Sequence, residues 1–283
     1  MTDGFSLIKL DGELAKTATA LINKISDAVG GLYKPYQIRR VAKAEADADL
    51  IKEQAHIEIN DLQRRAFNRL VSEEAHKQNN IESITAKAIP QLTSSSNPDG
   101  MDNDWIMNFF DKCRVVSDDE MQLLWAKVLA SEANSPGTYS KRLIISMGSL
   151  DKSEAQLFEK LCSFSILCDG MIQPYIVDLE NSLYKHQEIT FKALIHLDSI
   201  GLINFDALIG YKETELPQHI VIDNCGNSFR ADFNKPENNE ITIGVAVFTP
   251  IGAELSTVCS PKPIEGFLDY LKQNLVSQGL VIT

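Results

Sequence analysis

Residues 36–89 contain neither glycine nor proline, and apolar residues recur along them at steps of three and four positions. One stripe passes through these alanines, isoleucines and leucines: Ala44, Ala48, Ile51, Ala55, Ile59, Leu62, Ala66 and Leu70. Such steps place side chains on one face of an α-helix, and a repeat close to eleven residues gives a nearly straight or gently right-handed helix. The pattern predicts one helix of 54 residues, roughly 80 Å long.

A helix of that length cannot be covered by a compact body of this size, so it must pack on partner helices or on copies of itself. Its stripe is interrupted by a polar stretch at residues 72–80 before Ile81, Ile84 and Ala88 restore it. We interpret the polar stretch as a break in packing or a hinge. The sequence therefore predicts a stalk that needs a partner.

A shorter amphipathic helix precedes the stalk, because apolar residues again recur at steps of three and four between positions 14 and 32. Its candidate assembly or membrane face consists of Leu14, Leu21, Ile25 and Val29. Packing on the long helix or on another subunit is one interpretation. Binding in the plane of a membrane surface is the alternative, although the polar face carries little excess basic charge.

A polar linker at residues 92–104 separates the stalk from a second set of helices. The predicted helices are 104–114, 121–133, 139–147 and 155–167. Ser117 and Glu120 have the spacing of a capping box, with Ser117 as the N-cap. The aromatic and aliphatic residues of the first two helices favour a bundle core over a ligand site.

The pattern changes after about residue 170. A helix at residues 189–200 ends at Gly201, and short runs typical of β-strands follow at residues 219–222, 229–233 and 241–248. Thr249 and Pro250 then have the positions of an N-cap and the first residue of a helix. This order of elements is that of a winged helix.

The predicted fold is mainly α, with a long helical stalk, a helical bundle and a C-terminal winged-helix-like α+β module. We predict four parts: an amphipathic helix at 1–35, the stalk at 36–92, the bundle at 93–169 and the module at 170–283.

The 27 basic and 39 acidic residues are unevenly distributed, and residues 151–283 hold 9 of the former and 18 of the latter. That acidic field disfavours a nucleic-acid partner for the module. The chain shows no nucleotide-binding loop, no metalloprotease motif and no nucleophile elbow, and its five histidines lie far apart. We predict no cofactor and no metal site. We favour a protein that is not an enzyme, and an active site assembled from distant residues stays open as the alternative.

Two further observations concern the compartment. No stretch approaches the 18 apolar residues of a membrane-spanning helix, and the N-terminus lacks the features of a signal peptide. The five cysteines are widely spaced and odd in number, which is typical of reduced thiols. We expect a cytoplasmic protein, with peripheral contact at the inner membrane as the alternative.

Several segments resemble a bacterial family catalogued as a domain of unknown function, and this likeness covers most of residues 30–165. They are 33–35, 39–45, 73–74, 78–82, 104–105, 122–132 and 136–140. The chain is also similar, more loosely, to the abortive-infection alpha proteins of bacteria. The segments of this second likeness are 129–132, 150–155, 201–203 and 248–252. The second resemblance implies a role in phage defence, and neither transfers a catalytic residue.

The sequence therefore favours a non-enzymatic, self-associating interaction protein, a homo-oligomer whose protein partner is unknown, acting in anti-phage defence. A nucleic-acid-binding regulator is the first alternative. Its phosphate contacts would come from these arginines: Arg39, Arg40, Arg64, Arg65 and Arg69. A membrane effector acting through the N-terminal helix is the second alternative.

Overall fold

The computed structural model describes residues 12–29 and 61–283, which divide into two compact units. We call the part up to Gly148 the helical unit and Ser149–Thr283 the mixed unit. The described helices of the helical unit are α1 (Gly12–Val29), α2 (Asp61–Ala88), α3 (Asn103–Cys113), α4 (Asp119–Asn134) and α5 (Lys141–Met147). Short 3₁₀ turns at Ile89–Gln91 and Pro98–Gly100 connect α2 to α3.

Helix α2 is the described part of the predicted long helix, and the rest of that prediction lies outside the described residues. The helix runs without interruption through residues 72–80 and ends at Ala88, where the 3₁₀ turn containing Pro90 follows. The polar stretch is therefore not a kink in the helix. Proline cannot continue the hydrogen-bond ladder of an α-helix, which explains the position of the end.

The core of the helical unit is aromatic, as the sequence predicts. The ring of Phe109 lies 5.1 Å from those of both Trp105 and Trp125, and the three side chains are buried. The indole N–H of Trp105 donates to the carbonyl oxygen of Tyr139 at 2.9 Å. This contact ties α3 to the segment that leads into α5.

Two N-caps set the beginnings of α3 and α4. Asp102 accepts a hydrogen bond from the backbone N–H of Trp105, which lowers the pKa of its carboxyl group. The predicted N-cap Ser117 is wrong, because Asp118 caps α4 by accepting from the backbone N–H groups of Glu120 and Met121. A carboxylate at this position also interacts favourably with the positive end of the helix dipole.

The mixed unit combines five described helices with antiparallel strands. Its helices are α6 (Lys152–Cys162), α7 (Ser182–His186), α8 (Phe191–Ser199), α9 (Pro250–Ser256) and α10 (Phe267–Ser277). Its strands are β1 (Ser165–Cys168), β2 (Met171–Pro174), β3 (Ile203–Phe205), β4 (Tyr211–Leu216), β5 (His219–Asn224), β6 (Asn227–Asp232), β7 (Asn239–Gly244), β8 (Ala246–Phe248) and β9 (Val281–Ile282). Five strands form a sheet in the order β2-β1-β5-β6-β9, and β3 pairs with β8 and β4 with β7.

The predicted helix at 155–167 is wrong in its second half, because α6 ends at Cys162 and Ser165–Cys168 forms strand β1. Asp169 and Gly170 both have positive φ and form the two-residue turn to β2. An Asp-Gly pair is a strong signal for such a hairpin turn. The Asp-Gly pair is present in the sequence, but the apolar run before it fits the end of a helix as well as a strand.

The C-terminal elements follow the predicted order with one correction: the predicted strand 241–248 is two strands, of which β7 pairs with β4 and β8 pairs with β3. Helix α8 begins after its N-cap Thr190, and Gly201 follows the helix with a φ of +77°. Thr249 caps α9 by accepting from the backbone N–H of Gly252, with Pro250 at the first helical position, as predicted. Most described residues outside loops are helical and the strands are antiparallel, in agreement with a mainly α chain. The winged-helix and stalk assignments remain predictions.

Candidate functional site

The first sixteen described residues of α2, 61–76, form the most exposed helical surface in the helical unit. Every one of them is exposed, whereas Ile81, Ile84 and Ala88 further along the same helix are buried. At 1.5 Å per residue this exposed segment is about 24 Å long. We refer to residues 61–76 as the exposed segment.

Apolar side chains lie along one face of the exposed segment. Leu62 is 65 % exposed and Leu70 is 55 % exposed, and Ala66 lies between them at helical spacing. These are the last positions of the predicted stripe. Leu62, Ala66 and Leu70 therefore form a row of apolar side chains that is exposed to water. Such a row is typical of a contact surface.

The arginines of the exposed segment are engaged by carboxylates of the same helix. Asp61 forms ion pairs with Arg64 and Arg65, and Arg69 lies 3.4 Å from the carboxylate of Glu73. Arg39 and Arg40, the other two candidate phosphate contacts, lie outside the described residues. The three described arginines are therefore exposed but partly neutralised.

A cleft of about 550 Å³ lies where the exposed segment joins the packed part of α2. It is lined by α1, α2 and α3, and its charged lining residues are Glu74, Lys77, Asp111 and Arg114. These residues form two ion pairs within their own helices, and the hydrogen bond from Lys77 lowers the pKa of Glu74. Because both cations are already paired, the cleft does not present a charge of one sign to a ligand.

The candidate face of α1 is directed into the helical unit. Leu21 and Ile25 are fully buried, and Leu14 and Val29 are half-buried. Helix α1 packs on α3 and on the turn Pro98–Gly100, where Lys24 donates to the carbonyl oxygen of Asp99 at 3.3 Å. The stripe thus has a partner within the chain, and its use in assembly or at a membrane stays a prediction.

Within residues 12–29 and 61–283, no helix is long and apolar enough to cross a membrane.

Helix α8, the candidate recognition helix, exposes apolar residues rather than a cluster of cations. Phe191 and Ile195 are about half exposed, and Lys192 is the single lysine of this helix. His196 is engaged, since its Nε2 lies 2.8 Å from Oε1 of Glu154 on α6. Base and phosphate readout normally needs several cations and amides, and α8 has few.

Titratable side chains of the described residues do not converge on a metal site. No group of three or more histidine, cysteine, aspartate or glutamate side chains there is placed to hold an ion. Cys113 and Cys162 are buried, and burial raises the pKa of each thiol well above its ordinary value. Thiols in that state are poor nucleophiles.

Residues 64–272 match the protein family described as "Protein of unknown function (DUF2806)". The chain belongs to the DUF2806 family. This confirms the predicted membership of a family of unknown function, although the DUF2806 match begins later and reaches further than the predicted residues 30–165. No curated protein and no solved structure matches the chain.

The DUF2806 region begins in the exposed segment of α2 and ends in α10, so it includes most of both units and leaves α1 outside. It includes Arg64, Arg65 and Arg69 and excludes Leu14, Leu21, Ile25 and Val29. The resemblance to abortive-infection alpha proteins is not confirmed by the comparisons.

Proposed function

We propose that this protein is a non-enzymatic interaction protein that self-associates through the exposed segment of α2. One observation carries the proposal: a helix that is packed at one end continues for about four further turns with every residue exposed and with Leu62 and Leu70 on one face. A helical segment of this length is only marginally stable in water on its own. Association would cover the row of leucines and stabilise the helix.

A second copy is the occupant that the sequence favours. The stripe through Leu62, Ala66 and Leu70 combines leucines with a small residue, which allows two helices to approach closely. Burying one leucine side chain contributes roughly 1.5–3 kcal/mol. Two such stripes facing each other contribute enough to hold two copies together.

The proposal can be tested by measuring the solution mass of the full chain by light scattering. In the double variant Leu62→Asp/Leu70→Asp, each copy would place two carboxylates in the contact, so we expect the oligomer to dissociate to the monomer. Asn68→Asp/Ala75→Asp is the matched control, because both positions are exposed and lie on the opposite face of α2. A monomeric wild-type protein, or an oligomer that the leucine variant leaves intact, contradicts the proposal.

The mixed unit supports the same class of function. Helices α6, α7 and α8 precede the antiparallel pair β3–β8, and strands β4 to β7 lie between β3 and β8 in the sequence. We propose that this is a winged-helix-like arrangement used for contact with proteins. The apolar exposure of α8 and the acidic charge of residues 151–283 favour a protein partner over a nucleic acid.

Participation in anti-phage defence is part of the proposal, and it is supported by the sequence resemblance to abortive-infection alpha proteins. It predicts that a bacterium expressing the chain forms fewer phage plaques than one expressing the dissociated Leu62→Asp/Leu70→Asp variant. Equal plaque counts with the wild type, the Leu62→Asp/Leu70→Asp variant and an empty vector would contradict the role in phage defence. They would not contradict the proposed self-association.

Both alternatives have less support. For the nucleic-acid-binding regulator, the described arginines of α2 already have carboxylate partners. For the membrane effector, Leu21 and Ile25 would have to leave a buried environment before they could enter lipid. Each requires the loss of contacts that the helical unit already makes.

A further inference from the structure

The loop between β3 and β4 carries two adjacent aliphatic side chains that are almost completely exposed. Leu208 is 96 % exposed and Ile209 is 89 % exposed. Phe205 at the end of β3 makes an edge-to-face contact with Phe191 of α8, with the ring centroids 5.3 Å apart. Together with Ile195, one helical turn from Phe191, these residues form what we call the Leu208 surface.

The loop is held in a fixed conformation at both ends. The backbone N–H of Asp206 donates to the carbonyl oxygen of Val245 at 2.9 Å, and the Asp206 carboxylate accepts from the N–H groups of Leu208 and Ile209 at 2.9 and 3.0 Å. Gly210 has a φ of +70°, and a Cβ there would lie 2.9 Å from the carbonyl oxygen of Gly244. Because the loop is already ordered in the folded protein, a partner that binds it loses little free energy to ordering the loop.

Carboxylates lie beside the apolar side chains. The exposed Asp198 accepts from the backbone N–H of Phe205 at 3.0 Å. The backbone N–H groups of Ile209 and Leu208 lower the pKa of Asp206, so that carboxyl group is ionised at neutral pH. Burial raises the pKa of Tyr211, and the negative charges of Asp206 and Asp198 add to the rise.

The surroundings are acidic overall. Residues 190–216 contain two lysines and four acidic residues. Lys212 lies 2.5 Å from Glu240, so it is already paired, and Lys192 is the other lysine. An apolar centre with a negative rim complements a partner that is apolar in the middle and basic at the edges.

We infer that the Leu208 surface is a docking site for a basic, amphipathic segment of a partner protein. Apolar side chains of that segment cover Leu208, Ile209 and Phe191, and its lysines or arginines pair with Asp198 and Asp206. The inference rests on the interaction role proposed above and names the chemistry of the partner. It concerns the mixed unit, whereas the proposed self-association concerns α2.

The test uses the full chain and two fluorescent model peptides, with binding followed by fluorescence anisotropy. One peptide places leucines on one helical face and lysines on the other, and the second carries glutamate in place of each lysine. We expect the lysine peptide to bind at least about ten times more tightly than the glutamate peptide, corresponding to about 1.4 kcal/mol. We also expect added salt to weaken its binding.

Variants then locate the binding site. Leu208→Ser/Ile209→Ser should weaken binding of the lysine peptide about tenfold or more, because truncating a central contact residue costs more than 1 kcal/mol. Val221→Ser/Val281→Ser is the matched control, since both valines are also more than half exposed but lie on the five-stranded sheet. Asp206→Asn keeps an oxygen acceptor for the loop and removes the negative charge. It should therefore weaken binding of the lysine peptide and leave binding of the glutamate peptide unchanged.

Equal binding of both peptides to the wild type would overturn the inference. So would unchanged binding of the lysine peptide to the Leu208→Ser/Ile209→Ser variant, or an equally large loss of binding in the Val221→Ser/Val281→Ser control. A change in the mass of the protein alone on Leu208→Ser/Ile209→Ser would show that a second copy occupies the surface, which also contradicts it. Failure of self-association through α2 would appear separately, in the light-scattering result for Leu62→Asp/Leu70→Asp.

Discussion

The two halves of helix α2 have the same backbone conformation and opposite surroundings. In residues 61–76 every side chain is exposed, whereas Ile81, Ile84, Thr85 and Ala88 are buried. Both halves contain aliphatic side chains at helical spacing. The second half packs on α4 of the same unit, and its apolar side chains are covered there.

Polar contacts in the packed half explain why its position is so well defined. Gln122 of α4 is buried, and its side-chain amide donates to Asn80 at 3.2 Å and to the carbonyl oxygen of Val116 at 2.9 Å. Its oxygen accepts from Ser83 at 2.7 Å and from Lys87 at 2.6 Å. A satisfied buried amide fixes the register of the two helices, because any shift would leave its groups unpaired. In the exposed half, Arg64, Arg65 and Arg69 form ion pairs with carboxylates of α2 itself.

The largest effect is expected from a charge placed in the packed half. Ile84→Asp would bury a carboxylate without a partner and should lower the free energy of unfolding of the helical unit by about 4 kcal/mol or more. The measurement is urea unfolding followed by tryptophan fluorescence, since Trp105 and Trp125, the two tryptophans of the chain, both lie in this unit. The control is Leu70→Asp in the exposed half, which should leave the stability of the dissociated protein within about 0.5 kcal/mol of the wild type. Equal losses for the two variants would mean that the halves do not differ as described.

A smaller effect is expected from removing the amide between α2 and α4. Gln122→Leu would leave Asn80, Ser83 and the carbonyl oxygen of Val116 without this partner, and we expect a loss of about 1–3 kcal/mol in the same measurement. Asn79→Leu, at an exposed position of α2 in the same unit, also replaces an amide by leucine without breaking a buried network. A stability gain in Gln122→Leu would indicate that apolar packing outweighs the network at this site.

The sequence predicted α2 and α8 well because their signals are local. The run without glycine or proline, the apolar steps of three and four, and the glycine after the helix at 189–200 all act within a few residues, and so does the predicted N-cap Thr249 of α9. The aromatic core around Phe109 and Trp125 was also predicted, because large apolar side chains at helical spacing have few other stable positions.

The parts that could not be predicted depend on contacts between distant residues. In the sequence, nothing distinguishes Gln122 from the other polar residues of α4. Its hydrogen bonds with Asn80 and Ser83 form only because the fold brings α2 and α4 together. The Leu208–Ile209 pair stands before Gly210 in the sequence, and no local rule says whether such a pair is covered. Strand β1 was missed for another reason, since its apolar run fits both a helix and a strand and the Asp169–Gly170 turn had to decide between them.

The smallest effect concerns the charges of the exposed half and separates self-association from the nucleic-acid alternative. Asp61→Asn would release Arg64 and Arg65 from their ion pairs, and because all three side chains are exposed the change in stability should be below about 0.5 kcal/mol. If the exposed segment serves protein contact, neither the wild type nor Asp61→Asn should bind a labelled DNA duplex in anisotropy measurements at low salt. A duplex bound by Asp61→Asn, released by salt and lost again in Asp61→Asn/Arg64→Glu/Arg65→Glu, would instead show that the arginines contact phosphates once their carboxylate is neutralised. That result would favour the nucleic-acid-binding regulator, because counterion release measures the phosphate contacts directly and self-association through Leu62 and Leu70 does not depend on them.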